Sequence, residues 1–130
     1  MDDINFLAVG AATIVAFVSA SVFYSVFAAQ LQAVSSAANP TERPPAWKML
    51  VEIARCVVLT TIFAGIAAEI GVDGIGGAVL LALVLFIGFP AMLWTGAMLW
   101  ENTPWRLAAL HGGDWLLKLL LIAVVIGLWR

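Results

Sequence analysis

Charge is what this sequence has least of. Of its 130 residues only 11% are charged, against 64% hydrophobic, whereas a soluble domain carries about a quarter charged. So few polar groups cannot cover a water-exposed surface. The mean hydropathy of +1.07 points to a bilayer as the solvent. Basic residues are scarce too: there are six, in a formal net charge of -2. That leaves no electrostatic footprint for nucleic acid and excludes it as a partner. The single cysteine, Cys56, excludes an intrachain disulfide and a cysteine-rich metal site. Set in an apolar run, it reads as a small buried hydrophobe. No Ser-His-Asp arrangement with an oxyanion-hole loop is visible, and nothing marks Ser35 or Ser36 as a nucleophile. The chain is therefore not expected to be an enzyme.

What is there is a series of long apolar runs. The uncharged length of the first exceeds the roughly 20 residues needed to cross the hydrocarbon core. The expected fold is all-α: one domain over residues 1–130, a bundle of four transmembrane helices. The spans are placed at about 5–32, 46–70, 74–100 and 104–129. The start, MDDINFLAVG, has an acidic n-region, and residues 4 to 41 hold no charge. The first run is therefore read as a retained span rather than a cleaved signal.

Small residues recur every fourth position in the first span: Ala8, Ala12, Ala16 and Ala20, and separately Ser21, Ser25 and Ala29. Such rows let another helix backbone approach closely. Gly74, Ala78 and Ala82 repeat the pattern in the third span. Pro90 removes a backbone donor there and is expected to kink the helix. Residues 35–45, rich in serine and proline, read as a loop. The glycine-rich 71–77 segment reads as a tight turn, since a phosphate-binding loop would need a preceding strand and a nearby base. Thr103 suits an N-cap, and Pro104 the first helical position after it. Pro-Ala-Trp-Lys at 45–48 and Pro-Trp-Arg at 104–106 give a weak hint of duplicated hairpins.

Four spans put both termini on one side. The loops after spans 1 and 3, with the helix entrances that follow, carry Arg43, Lys48 and Arg106. The other side carries Arg130 with the acidic Asp2, Asp3, Glu69 and Asp73. The positive-inside rule places loops 1 and 3 in the cytoplasm and both termini outside. Trp47, Trp100 and Trp105 then mark the cytoplasmic interface, and Trp129 the outer one.

Within this apolar chain, five ionisable residues lie at membrane depth: Glu52, Arg55, His111, Asp114 and Lys118. Depth can be counted from the interfacial Trp47 and Trp105. Glu52 then matches His111, Arg55 matches Asp114, and Lys118 lies one turn deeper. A charge at the bilayer centre costs at least about 2.5 kcal/mol, so pairing is expected. Arg55 is expected to pair with Asp114, and Lys118 with Asp114 or Glu52, with spans 2 and 4 facing each other across a neutral set. One reading makes the set structural glue that fixes helix register. Another makes it the lining of a small aqueous cavity or of a proton or ion path. A metal site of His111, Asp114 and Glu52 is a poorer fit, because the ligand set is thin and Arg55 and Lys118 would repel a cation.

The chain resembles the small bacterial membrane proteins of domain of unknown function 1761. The resemblance rests on Phe23-Tyr24-Ser25-Val26-Phe27, on Trp47-Lys48 with Glu52, and on Gly88-Phe89-Pro90-Ala91-Met92. It rests most specifically on Leu110-His111-Gly112-Gly113-Asp114-Trp115-Leu116-Leu117, with Gly127-Leu128-Trp129 closing the chain. Asp114 stands where that family often has an aromatic, and Phe23 where it often has Trp. The resemblance implies four transmembrane helices and no established activity. The expectation is an integral protein of a bacterial plasma membrane, without cofactor or metal. Its partners are lipid and either a second copy or another membrane protein. The role is structural or accessory. A small transporter or channel subunit is the alternative, and a membrane-embedded enzyme using His111 and Asp114 a remote one.

Overall fold

Asn5 starts the first helix by offering its side-chain oxygen to two backbone N–H groups that have no partner within the helix. Oδ1 accepts from Leu7 at 3.0 Å and from Ala8 at 3.2 Å. The structure is a computed structural model that describes residues 5–34 and 46–129. It contains α1 (Phe6–Val26), α2 (Ala28–Val34), α3 (Ala46–Glu69), α4 (Ile75–Gly88), α5 (Pro90–Trp100) and α6 (Trp105–Leu128). Among the described residues, four helical stretches are long and apolar enough to cross a membrane: Phe6–Val26, Ala46–Glu69, Ile75–Trp100 and Trp105–Leu128. The protein is an all-α bundle of four such helices. The loop expected over 35–45, with Arg43, Ser35 and Ser36, lies outside the described residues, as do Asp2, Asp3 and Arg130.

Two of the expected spans are broken. The first, placed over 5–32, bends at Phe27, whose backbone (φ -100, ψ 20) leaves the helical region while its N–H still donates to Phe23 O at 3.0 Å. No proline or glycine lies at this bend. The third breaks at the expected Pro90. Proline has no N–H to return to Phe86 O, and its ring pushes the preceding residue out of the helical region. Phe89 accordingly sits at φ -122, ψ -76, and α5 restarts with Leu93 N–H donating to Phe89 O at 2.8 Å.

The turn between α3 and α4 needs glycine twice: Gly71 has φ +74 and Gly74 has φ +106, a region that costs L side chains strain. At the other end, Asn102 takes φ 56, a conformation asparagine tolerates. The entrance to α6 differs from expectation by one residue. Pro104, at φ -57 and ψ 134, is itself the cap residue, so Thr103 lies outside the helix and the helix start has no side-chain cap.

α6 is the hub. It packs along α1 and α4 and against α5, whereas α3 packs on α1 and meets α6 only sparsely. Spans 2 and 4 are therefore not the facing pair that matched depths suggested. The cause is the alanine row of α1. Ala8, Ala12, Ala16 and Ala20 are buried, and their short side chains let α1 lie close to α3 and α6 together. Ser21 and Ser25 stay outside that seam. Both are exposed, and their hydroxyls return to their own helix, on Phe17 O at 3.0 Å and Ser21 O at 2.7 Å. Ala78 and Ala82 of α4 are fully buried in the core that also holds Leu119, Ile122 and Ala123 of α6. Near the end of α6, a Cβ built on Gly127 would stand 2.8 Å from Ile75 Cα. Only glycine permits that contact.

Candidate intramembrane polar site

The ionisable residues pair along their own helices, not between them. Lys118 Nζ lies 3.0 Å from Asp114 Oδ2, one turn along α6. The acid precedes the base by four positions, the favoured order on a helix. Both are buried, with 3% exposure for Asp114 and 4% for Lys118. On α3, Arg55 Nη1 donates to Glu52 Oε2 at 2.7 Å, three positions away, and its side chain is 60% exposed. The expected Arg55–Asp114 pair does not form. Arg55 stays largely exposed, and Glu52, three positions before it on α3, offers it a carboxylate. Lys118 takes Asp114, one of the two partners anticipated for it.

His111 joins the buried pair through a residue from α1. Tyr24 Oη is 2.6 Å from His111 Nδ1 and donates to Asp114 Oδ2 across a long 3.5 Å. The hydroxyl has one proton and two neighbours that can take it. When it serves Asp114, His111 Nδ1 carries a proton and donates to Tyr24 Oη. When it serves His111, the imidazole proton sits on Nε2. Trp94 of α5 stacks on the imidazole with ring centres 4.9 Å apart and planes 15° from parallel. Lys118 Nζ lies 5.0 Å from the centre of the Trp115 ring, where its charge meets the negative ring face. Gly113 leaves room for Phe23, whose Cζ would stand 3.3 Å from a Cβ at that position.

Three helices thus meet at one level: α1 through Tyr24, α5 through Trp94, and α6 through His111, Asp114 and Lys118. A second polar contact ties α1 to α3, with Thr13 Oγ1 and Thr60 Oγ1 2.8 Å apart. Each threonine hydroxyl also reaches its own helix, at Val9 O and Cys56 O. Among the described residues the interhelical polar contacts thus run through hydroxyls, to another hydroxyl, to the imidazole and to the Asp114 carboxylate, while the charges of Glu52, Arg55, Asp114 and Lys118 are paired within a helix. Asp114 Oδ1 is buried and has no hydrogen-bond partner among the described residues. Among those residues, no three of His, Cys, Asp and Glu come together as a set that could hold a metal ion.

Sequence reasoning placed His111, Asp114 and Lys118 together and missed Tyr24, Trp94, Thr13 and Thr60. Tyr24 did leave a signal. It is the only tyrosine in the chain, and a buried phenol in an uncharged span needs a partner.

The family model described as protein of unknown function (DUF1761) matches residues 7–127. The chain belongs to that family. No curated protein and no solved structure matches it.

Proposed function

We propose that this member of the DUF1761 family is a non-enzymatic structural or accessory protein of a bacterial plasma membrane. Both termini face outside, and the loops leading into α3 and α6 face the cytoplasm. One observation carries the structural reading: Asp114 and Lys118 neutralise each other at 3.0 Å inside the bundle, with both side chains almost fully buried. A path for ions needs charges that water can reach. A closed pair instead fixes the face that α6 turns towards α1, through the Tyr24 contact to Asp114. The apolar surface supports lipid as the immediate partner, since Leu7, Ile14, Leu50, Leu80 and Leu99 are each more than half exposed.

One observation favours a second reading, a small transporter or channel subunit. Asp114 Oδ1 has no hydrogen-bond partner among the described residues, and Tyr24 links that carboxylate to His111 in a short chain of groups that can pass a proton. Proteoliposomes loaded with a pH-sensitive dye separate the two. The structural reading expects the same proton flux with the wild-type protein, with Asp114→Asn and with empty vesicles. A wild-type flux that Asp114→Asn abolishes would replace it with the transport reading.

A further inference from the structure

A lateral groove runs between α3 and α6, where these helices fail to close on each other. Its upper part, of about 480 Å³, is lined by Glu52, Arg55, Cys56 and Leu59 of α3 and by Trp115 and Lys118 of α6. Its deeper part, of about 780 Å³, shares Leu59, Ile62 and Trp115 with the upper and continues past Phe63 to Phe89 and Pro90. Both volumes fall in the range of small-ligand sites. The break at Pro90 lies in the wall of the deep part, so the interruption of the third span helps shape this space.

Chemistry changes along the groove. The deep part is wholly apolar in its side chains. The upper part carries two cations, Arg55 and Lys118, against one acid, Glu52. Lys118 is already taken by Asp114. Arg55 is not saturated: one nitrogen holds Glu52, and the side chain is 60% exposed, with further N–H donors in its planar fork. It is the tenth residue of α3, roughly 13 Å along the helix axis from Ala46. An outward-facing guanidinium at that depth reaches back towards the headgroup layer. The abundant anion waiting there is a lipid phosphate.

We propose that this groove is a binding site for one anionic phospholipid of the cytoplasmic leaflet, with its phosphate on Arg55 and an acyl chain laid along Leu59, Ile62 and Trp115 towards Pro90. The exposed Arg55 fork above and the apolar wall below match that amphiphile in order, phosphate first and acyl chain after. A carboxylate from a second copy of the chain is the competing occupant. The site goes beyond the structural reading, rests on its orientation only for the choice of leaflet, and does not depend on whether the polar cluster conducts.

The test uses the full chain reconstituted in vesicles of equal phosphatidylcholine and phosphatidylglycerol, extracted gently and weighed intact by native mass spectrometry. The expected species is a protein carrying one lipid, enriched in phosphatidylglycerol about fivefold over the bulk ratio. Arg55→Gln should return that ratio to the bulk value, and Arg55→Lys should keep part of the preference. Leu59→Trp, which fills the groove, should remove the retained lipid altogether. Arg106→Gln, a cation outside the groove, should change nothing. Helix content and monodispersity of each variant show that it is folded. The proposal is overturned by retention at the bulk ratio, by an unchanged preference in Arg55→Gln, by lipid still held in Leu59→Trp, or by a lipid-free dimer.

Discussion

Lys118 and Asp114 form a buried ion pair within a single helix, Nζ to Oδ2 at 3.0 Å, in the middle of a span that a bilayer would otherwise fill with apolar side chains. Removing one partner strands the other. Lys118→Met or Asp114→Leu alone should therefore lower stability by about 3–5 kcal/mol. The double variant should be far milder, because nothing charged is left behind. Reversible unfolding in mixed micelles, run as a double-mutant cycle, reads the difference. A double-variant loss equal to the sum of the two single losses would show that the two charges do not act as a pair.

The Tyr24–His111 contact, at 2.6 Å, is the shorter of the two polar contacts that Tyr24 makes from α1 to α6. Tyr24→Phe should cost about 1 kcal/mol, the usual scale for an interhelical hydrogen bond in a membrane. In a cycle with His111→Leu the losses should be less than additive, since either change removes the same bond. Full additivity would mean that the bond is absent in the folded protein.

Legibility followed the physics of each feature. The four spans were plain, because apolar length is a local property that each segment carries by itself. Pro90 was plain for the same reason, since its missing donor breaks a helix wherever it stands. The bend at Phe27 was not, as no residue there is a helix breaker. Partner choice was the weak point. Depth counted from Trp47 and Trp105 put Arg55 level with Asp114 but could not give the rotation of α3, and rotation decides which charges meet. Local spacing did hold the answer: Glu52 and Arg55 at three apart, and Asp114 and Lys118 at four apart, are neighbours on any helix. Tyr24 was legible only as an oddity of composition, because its partners lie about 90 positions away.

Gly127 should tolerate no side chain. A Cβ there would stand 2.8 Å from Ile75 Cα and 3.0 Å from Ile75 N, backbone atoms that cannot swing aside. Gly127→Ala should destabilise by about 1–3 kcal/mol, the range for overpacking. Gly10→Ala is the matched control, with open space around its Cβ. It should be neutral or stabilising by up to about 1 kcal/mol from helix propensity. Thermal unfolding in detergent compares them, and equal behaviour would contradict the close approach.

Pro90→Ala should restore a continuous third span by returning an N–H to Phe86 O. Spin labels at the exposed positions Leu80 and Leu99 bracket the break. Their separation should increase in the variant while helix content is kept. An unchanged distance would show that packing, rather than the missing donor, bends the span.

The claim on which the account turns is that water does not reach the polar cluster. The chain has two lysines to report on it, Lys48, exposed at the entrance to α3, and Lys118, 4% exposed beside Asp114. The direct measurement is acylation of the unaltered protein in liposomes by a small water-soluble amine reagent, followed by peptide mass spectrometry. The account predicts modification at Lys48 and none at Lys118. Acylation of Lys118 at a rate near that of Lys48 would contradict it and open the cluster to water.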